Sequence, residues 1–468
     1  MNRFFCKSLC VGGLILLFAC EKKTTEKSLN IIILLADDLG YGDVGCYGSP
    51  AIETPNIDML AKEGMKFTRF YAGSAVCSPS RASILTGKFP LRMNLRSALL
   101  SENNTHLSTK AVIIPEILRT KGYYTALIGK WHLGGLTNSN IDNREKGQIA
   151  ELPGPLQHGF NHYLATIEGE PPRRKLILNK TMYAESGKYL ISDDRRIPPN
   201  NKQWDEIKVD EAIAVIDKST QMKRSFFIDL CFDAPHTPYE AAPEPHYSKY
   251  KQMGIEGDQL YFRSRVSHLD AMIGKVYAAL NERNLLETTL IILTSDNGSI
   301  SEGSSGPFKG AKTDLHEGGL RVPFIVVWKG HISAGVTNAS IGHHVDILPT
   351  ICEISKTDTS GLSLDGISLL KSFQNNFVRR KEVLLFQMDK YSDYQGHGVR
   401  PFPQTTLVAM KDNWKLSADS MTKKELFNLN SDFQEDFNLL GKHPEIENEL
   451  YKEIVKFWNA PRLNNLDY

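Results

Sequence analysis

The sequence predicts an α/β protein in which a central, mainly parallel sheet carries helices on both faces and is followed by a small C-terminal antiparallel β subdomain with a packed helix. Three observations predict this. Residues 29–35 form a continuous apolar run of strand length, the pattern of a strand buried on both faces of a parallel sheet. Similar runs recur at 124–128, 226–232, 289–294 and 323–328, separated by amphipathic stretches such as 111–119 and 259–284; that alternation marks strand-helix-strand units. Beyond residue 381 the runs shorten to 406–410 and 414–418, around a turn at Asp412-Asn413, then 426–429, before an amphipathic helix at 444–458.

In chain order, Arg3 and Lys7 precede an apolar run at 9–19. That run is too short to span a hydrocarbon core of about 30 Å, so residues 1–20 read as an export signal. The signal ends in Leu17-Phe18-Ala19-Cys20, which resembles the lipobox of bacterial lipoproteins and implies a lipid anchor on Cys20 at the cell envelope, periplasmic or outer. An ordinary signal with a chance cysteine is the alternative. Polar residues 21–28 read as a tether. A helix is expected over 56–63, with Thr54 as cap, Pro55 in the first turn and Gly64 as the stop. Residues 134–204 are polar and aperiodic apart from 175–178, as an insertion at the rim of a site would be.

Lysine plus arginine, 55, nearly cancels aspartate plus glutamate, 54. Nothing global therefore recruits nucleic acid or an anionic surface, and anion recognition has to be local. Polar residues gather where strands end. Asp37-Asp38 closes the first strand, Gly129-Lys130-Trp131-His132 another, Asp233-Ala234-Pro235-His236 a third and Ser295-Asp296-Asn297-Gly298 a fourth. Any one of these is an ordinary cap or turn. Four together point to a single polar site beyond the carboxyl ends of the strands. Asp37, Asp38, Asp296 and Asn297 offer only oxygen, which suits a hard cation, calcium or magnesium, rather than zinc.

Seven cysteines are present. Cys6, Cys10 and Cys20 fall in the signal, and the remaining Cys46, Cys77, Cys231 and Cys352 make no disulfide framework. Cys46, Cys231 and Cys352 read as small core residues, with a Cys46 to Cys231 bridge as the alternative. Cys77 differs through its neighbours: Ser78 as a cap, Pro79 in the first turn and Gly87 as the stop place it at a helix N-terminus, one turn before Arg81. On helix logic alone a low-pKa thiol, a capped helix and an anion site stay open.

The run Cys77-Ser78-Pro79-Ser80-Arg81, followed by Ala82-Ser83-Ile84-Leu85-Thr86-Gly87, resembles the signature of the formylglycine-dependent sulfatases, arylsulfatase type, whose fold is alkaline-phosphatase-like. The likeness extends through Ala36-Asp37-Asp38-Leu39-Gly40-Tyr41-Gly42-Asp43, Gly129-Lys130-Trp131-His132, Ala234-Pro235-His236 and Glu317-Gly318-Gly319 to Asp412-Asn413-Trp414-Lys415-Leu416. It implies a catalytic domain over 29–380 and a C-terminal subdomain over 381–468. It also implies that a maturase oxidises Cys77 to formylglycine (3-oxoalanine), whose hydrate binds the metal and attacks sulfur. By the same matching, Asp37, Asp38, Asp296 and Asn297 bind calcium beside the modified Cys77. Arg81, Lys130 and Lys312 then hold the nucleophile and sulfate, Lys312 rather than Lys309 standing at the family's spacing before Glu317. His236 is the candidate acid for the leaving oxygen, and His132 the base that expels sulfate. Asp296 is placed both to bind metal and to deprotonate the attacking hydroxyl.

One departure is visible. After Lys312 stands Thr313, where the family usually has glycine, and His316 replaces a common aromatic.

The resemblance implies a sulfuric ester hydrolase acting on sulfated carbohydrate, glycan or polysaccharide. Candidate specificity segments are 168–175, with Arg173 and Arg174, and 387–400, with Tyr391, Tyr394, His397 and Arg400; solvated loop is their bland reading. Two rivals are a phosphomonoester or phosphonate-ester hydrolase of the same superfamily and a catalytically silent glycan-binding lipoprotein.

Overall fold

Residue 30 begins the first strand of a ten-stranded sheet, and the apolar run that predicted it is buried from that residue onward. The structure, a computed structural model, describes residues 29–99, 106–134, 153–166, 203–237, 239–389, 405–419 and 422–463, and the backbone of four short strands between 176 and 197. The expected signal, tether and segment 168–175 lie outside the described residues, as does most of 387–400.

The first twelve strands are β1 (Asn30–Asp37), β2 (Met65–Tyr71), β3 (Tyr124–Lys130), β4 (His162–Thr166), β5 (Leu176–Leu178), β6 (Thr181–Tyr183), β7 (Leu190–Ser192), β8 (Arg195–Ile197), β9 (Phe226–Pro235), β10 (Thr289–Ser295), β11 (Phe324–Val327) and β12 (Val336–His343). The main sheet runs β12-β2-β11-β10-β1-β9-β3-β4-β5-β6, and β7 pairs with β8 in a separate ribbon. From β10 to β4 every neighbour is parallel. The strand β11 is antiparallel to both β10 and β2, while β5 and β6 add antiparallel pairs at the far edge. Parallel register sets the four polar strand ends at one edge: Ala36 pairs with Ser295, Leu35 with Cys231, and Cys231 in turn with Gly129.

Alternation along β1 feeds two cores. Ile31, Ile33 and Leu35 join one cluster with Leu85 of α2 (Cys77–Thr86), Ile117 of α3 (Ile114–Arg119) and Leu348 of α8 (Ile347–Ile354). Ile32 and Leu34 join the other, with Ile57 of α1 (Pro55–Glu63), Val209 of α4 (Trp204–Gln221) and Leu269 of α6 (Gly257–Glu282). Shorter helices α5 (His246–Gln252), α7 (Glu317–Leu320) and α9 (Leu370–Phe373) complete the main layer. Helices thus cover both faces, which is why parallel strands here carry no polar stripe.

A second sheet, β13 (Leu384–Asp389), β14 (Thr405–Lys411), β15 (Trp414–Ala418) and β16 (Lys423–Asn428), is antiparallel throughout. Its inner face packs Leu407, Ala409, Leu416 and Leu426 on Leu450, Ile454 and Phe457 of α10 (Pro444–Trp458) and on Tyr71 and Leu320 of the main layer. Buried charge welds the two. Lys415 Nζ lies 3.1 Å from Glu317 Oε1 and 2.9 Å from Glu435 Oε1, and Tyr71 Oη donates to Glu317 at 2.9 Å.

Three expectations are corrected. The aperiodic insertion contains β4, which extends the parallel sheet beside β3. Its His162, Tyr163 and Thr166 gave no apolar run to recognise. The bridge between Cys46 and Cys231 does not form, all four cysteines of the described residues being free. The helix at Cys77 starts two residues earlier than the sequence assigned, as follows below.

Candidate active site

Each polar strand end delivers its side chains to one buried cluster. Asp37 closes β1, and Asp38 follows in the left-handed region at φ 67°, a conformation an aspartate tolerates better than most residues. Both carboxylates are fully buried, as are Asp296 and Asn297 beyond β10. The Asp38 amide donates to Asp296 Oδ1 at 3.2 Å. Asn297 Nδ2 donates to Asp38 Oδ1 at 2.8 Å and to its neighbour's carbonyl, Gly298 O, at 2.9 Å. Those two bonds fix the amide orientation, and Asn297 Oδ1 is left buried with no hydrogen-bond partner.

Cations meet these acids one to one. Lys130 Nζ lies 2.7 Å from Asp37 Oδ2, Lys312 Nζ 2.8 Å from Asp38 Oδ2, and Arg81 Nη2 2.7 Å from Asp296 Oδ2. Arg81 Nε adds a bond to the same oxygen at 3.1 Å, and Nη1 donates to Lys130 O at 3.0 Å. The guanidinium therefore ties α2 to the ends of β10 and β3. Lys130 reaches its place because Gly129 takes φ 108°, where an added Cβ would stand 1.7 Å from Cys231 O.

Cys77 is the first residue of α2, its Sγ 3.7 Å from Asp37 Oδ1. The sequence assigned the cap to Ser78; the cap position is Val76, with extended backbone and no side-chain bond. Pro79 sits comfortably in that first turn because the first four amides of a helix lack intrahelical acceptors anyway. The Ser78 hydroxyl instead accepts the Leu99 amide at 2.9 Å. Burial pushes the Cys77 thiol up to about 12, outweighing Lys130 and Lys312. That speaks against the low-pKa thiol left open by helix logic: Lys130 and Lys312 do not offset desolvation together with the carboxylates of Asp296 and Asp37.

His236, just beyond β9, places Nε2 3.5 Å from Asp38 Oδ2. Ligand atoms of Asp37, Asp38, Cys77 and His236 all lie within 4.8 Å of one another. Burial holds His236 below the ordinary imidazole value against the pull of Asp37. Burial, Lys130 and Arg81 hold His132 well below it, and its Nδ1 is buried without a partner. Burial works to raise Asp37, but Lys130, His236, Arg81 and Lys312 keep it well below the carboxylate range. Asp296 goes the other way, raised to about 6 by burial and by Asp37. All ten residues that the sequence singled out thus share one cluster.

Thr313, the departure from the usual glycine, keeps glycine's backbone: its φ is 73°. A β-branched residue there is strained. Its amide donates to Ala75 O at 2.9 Å, and the Lys312 amide donates to Ser299 O at 2.7 Å, so the loop is pinned on both sides of the lysine.

Sequence reasoning missed the support under His236. Lys208 Nζ lies 2.6 Å from Asp233 Oδ2 and 3.3 Å from Asp205 Oδ1, which also accepts the Asp233 amide at 3.1 Å. Asp233 O in turn accepts the His236 amide at 2.9 Å. The available signal was a lysine on the apolar stripe of α4, beside Val209 and in phase with Ala212 and Val215.

Three buried carboxylates, an unpartnered amide oxygen and a ring of fixed cations fit a hard cation together with a bound anion. Such a site, at the strand ends of an α/β sheet, defines a hydrolase of anionic esters. The family model described as Sulfatase matches residues 29–356. Human arylsulfatase A is 30% identical over 450 residues, covering 88% of this chain and 83% of that protein. N-acetylgalactosamine-6-sulfatase of Canis lupus familiaris is 30% identical over 381 residues, covering 77% of this chain and 69% of that protein. Among solved structures, the crystal structure of Ps i-CgsB superposes with a TM-score of 0.78 at 25% identity, covering 92% of this chain and 93% of that one. The chain belongs to the sulfatase family, within the alkaline-phosphatase-like superfamily, and is a sulfuric ester hydrolase.

Proposed function

We propose that this chain removes sulfate from sulfated carbohydrate, using formylglycine made from Cys77 by a maturase and a calcium ion, with magnesium as the alternative. The observation that carries the reading is the convergence of Asp37, Asp38, Asp296 and Asn297 on Cys77, with Asn297 Oδ1 buried and unpartnered. These four residues and the modified Cys77 would hold the cation. When present, the aldehyde hydrate supplies a nucleophile that an un-ionised thiol does not, and the cation offsets charge on sulfate oxygen.

The chain's own residues do the rest. Arg81, Lys130 and Lys312 stay charged, pinned by carboxylates, and so need no reorganisation as negative charge builds on the oxygens around sulfur. His236 gives a proton from its ring to the leaving alkoxide as the sulfur–oxygen bond breaks. His132, held neutral, takes a proton at a ring nitrogen when sulfate departs. The sugar part of the reading is supported by what the relatives are called: one is an N-acetylgalactosamine-6-sulfatase, and Ps i-CgsB has been crystallised with k-i-k-neocarrahexaose. Export and attachment to the envelope through a lipid on Cys20 belong to the same proposal, because a sulfated polysaccharide is met outside the cell.

The experiment compares turnover of 4-nitrophenyl sulfate and 4-nitrophenyl phosphate by the matured enzyme. A strong preference for sulfate is expected. Preference for phosphate would overturn the reading in favour of the phosphoester rival.

A further inference from the structure

Asp43 ends the run from Ala36 that follows the first strand, and no step above uses it. The residue is buried, 1% exposed, and its carboxylate joins two loops far apart in sequence. Oδ2 accepts the Gly40 amide at 2.8 Å, and Oδ1 accepts the Ser304 amide at 2.8 Å. The first bond alone would be an ordinary local cap on the short helical turn Tyr41–Asp43. The second crosses the fold, and beside it the Gly42 amide donates to Ser304 O at 2.8 Å.

These two loops present the candidate metal ligands. Residues 39–43 continue from Asp37 and Asp38, and residues 298–304 continue from Asp296 and Asn297. Close to the ligands the loops are tied by the Leu39 amide to Ser295 Oγ at 2.9 Å and by the Asp38 amide to Asp296 Oδ1 at 3.2 Å. Asp43 supplies the tie at their far end, and the packing there leaves no slack. A Cβ on Gly40 would stand 2.4 Å from Ser304 O; one on Gly303 would stand 2.2 Å from Ser299 Oγ and 2.7 Å from Asp43 Oδ2. Asp38, with its left-handed backbone at φ 67°, belongs to the first of these loops, and a strained conformation persists only where its surroundings hold it.

Folding stability does not explain the carboxyl group. Burial pushes Asp43 up to about 7, against the pull of the Gly40 and Ser304 amides. Among the described residues no cation pairs with it. A buried carboxyl without a counter-cation costs folding free energy, and departures of this kind gather at functional sites.

We propose that Asp43 is a positioning residue for the metal site: by bridging the loops after β1 and β10 it holds Asp37 and Asp38 at the spacing from Asp296 and Asn297 that the cation requires. This rests on the reading of those four residues as ligands. Asp43 acts through the backbone of both loops, so its loss is read in ion affinity and not in the chemistry once the ion is bound.

Calorimetry on the full matured chain, stripped of metal and titrated with calcium, tests this together with the calcium dependence of 4-nitrophenyl sulfate turnover. Asp43→Asn keeps the shape of the side chain but turns an amino group toward an amide donor, which breaks one of the two ties. Calcium binding is expected to weaken about 10–100-fold, the calcium needed for half-maximal turnover to rise in step, and kcat to be restored at saturating calcium. Gly303→Ala, which wedges the loops apart with Asp43 in place, should act in the same direction and decides the matter if Asp43→Asn does not fold. Leu280→Ala, in the core under α6, lowers stability without touching either loop and should leave calcium affinity unchanged. Unchanged affinity in both loop variants, an equal loss in Leu280→Ala, or turnover that calcium does not restore would overturn the assignment. A wild-type chain that binds neither calcium nor magnesium would defeat the metal reading itself, and the assignment with it.

Discussion

At the scale of single residues, environment decides chemistry. Cys77 stands at a helix N-terminus facing three cations, yet burial and nearby carboxylates hold it as a thiol up to about 12; only covalent conversion would make it reactive. The two histidines are told apart by their partners. His236 approaches Asp38, whereas the buried Nδ1 of His132 meets no hydrogen-bond partner. Replacing His236 with alanine is expected to lower kcat/KM on sugar sulfates by about 10²–10⁴-fold. Loss on 4-nitrophenyl sulfate, whose phenolate leaves without a proton, should be far smaller; equal losses on both would contradict the assignment. The acids, Lys130 and the histidines were legible because each lies at the end of an apolar strand, whereas Arg81, on α2, and Lys312, in a loop, were legible only through the family resemblance. Thr313 was legible only as a departure, since its left-handed backbone cannot be read from its side chain.

At the scale of elements, the site is the edge of a parallel sheet. Strands β10, β1, β9 and β3 are adjacent and in register, so their carboxyl ends converge without long loops. These strands announced themselves because both faces are buried. By contrast, β2 mixes Lys66, Thr68 and Arg69 into a half-buried pattern, and β12 interleaves exposed Thr337 and Ala339 with the buried polar Asn338 and Ser340, so neither gave the continuous run that marks a central strand. Helix α4 was also missed, because Asp205 and Lys208 interrupt its apolar stripe. That interruption is functional support: the pair secures Asp233 and hence the turn carrying His236. Lys208→Met should cost about 3–5 kcal/mol in urea unfolding, since it strands buried carboxylates. A loss below about 1 kcal/mol would mean that Asp233 and Asp205 take up protons and do not need the lysine.

At the scale of the whole molecule, two sheets share one buried charge network through Lys415, and their cores meet around Tyr71 and Leu320. The short alternating runs after residue 405 made the second sheet readable, but β13, separated from its partner β14 by residues outside the described set, was not. Buried neutral histidines distribute a pH dependence over the fold. His344 Nδ1 accepts the Gly73 amide at 3.1 Å and burial lowers its pKa to about 3; His158 and His268 are lowered to about 4. The unfolded chain protonates these rings near 6.5, so it binds more protons than the native state as pH falls from there to about 4. Stability is therefore full above that range and lost on acidification, by up to about 1.4 kcal/mol per pH unit for each ring. Denaturation followed from pH 7 to 5 should show that slope, shallower in His344→Asn; an identical slope would place the proton uptake elsewhere. The central claim, that Cys77 becomes the nucleophile, meets its most direct test in mass spectrometry of the active enzyme. The Cys77 peptide is predicted about 18 Da lighter than its thiol form, in proportion to activity, and full activity from a preparation carrying only the intact thiol would contradict the account.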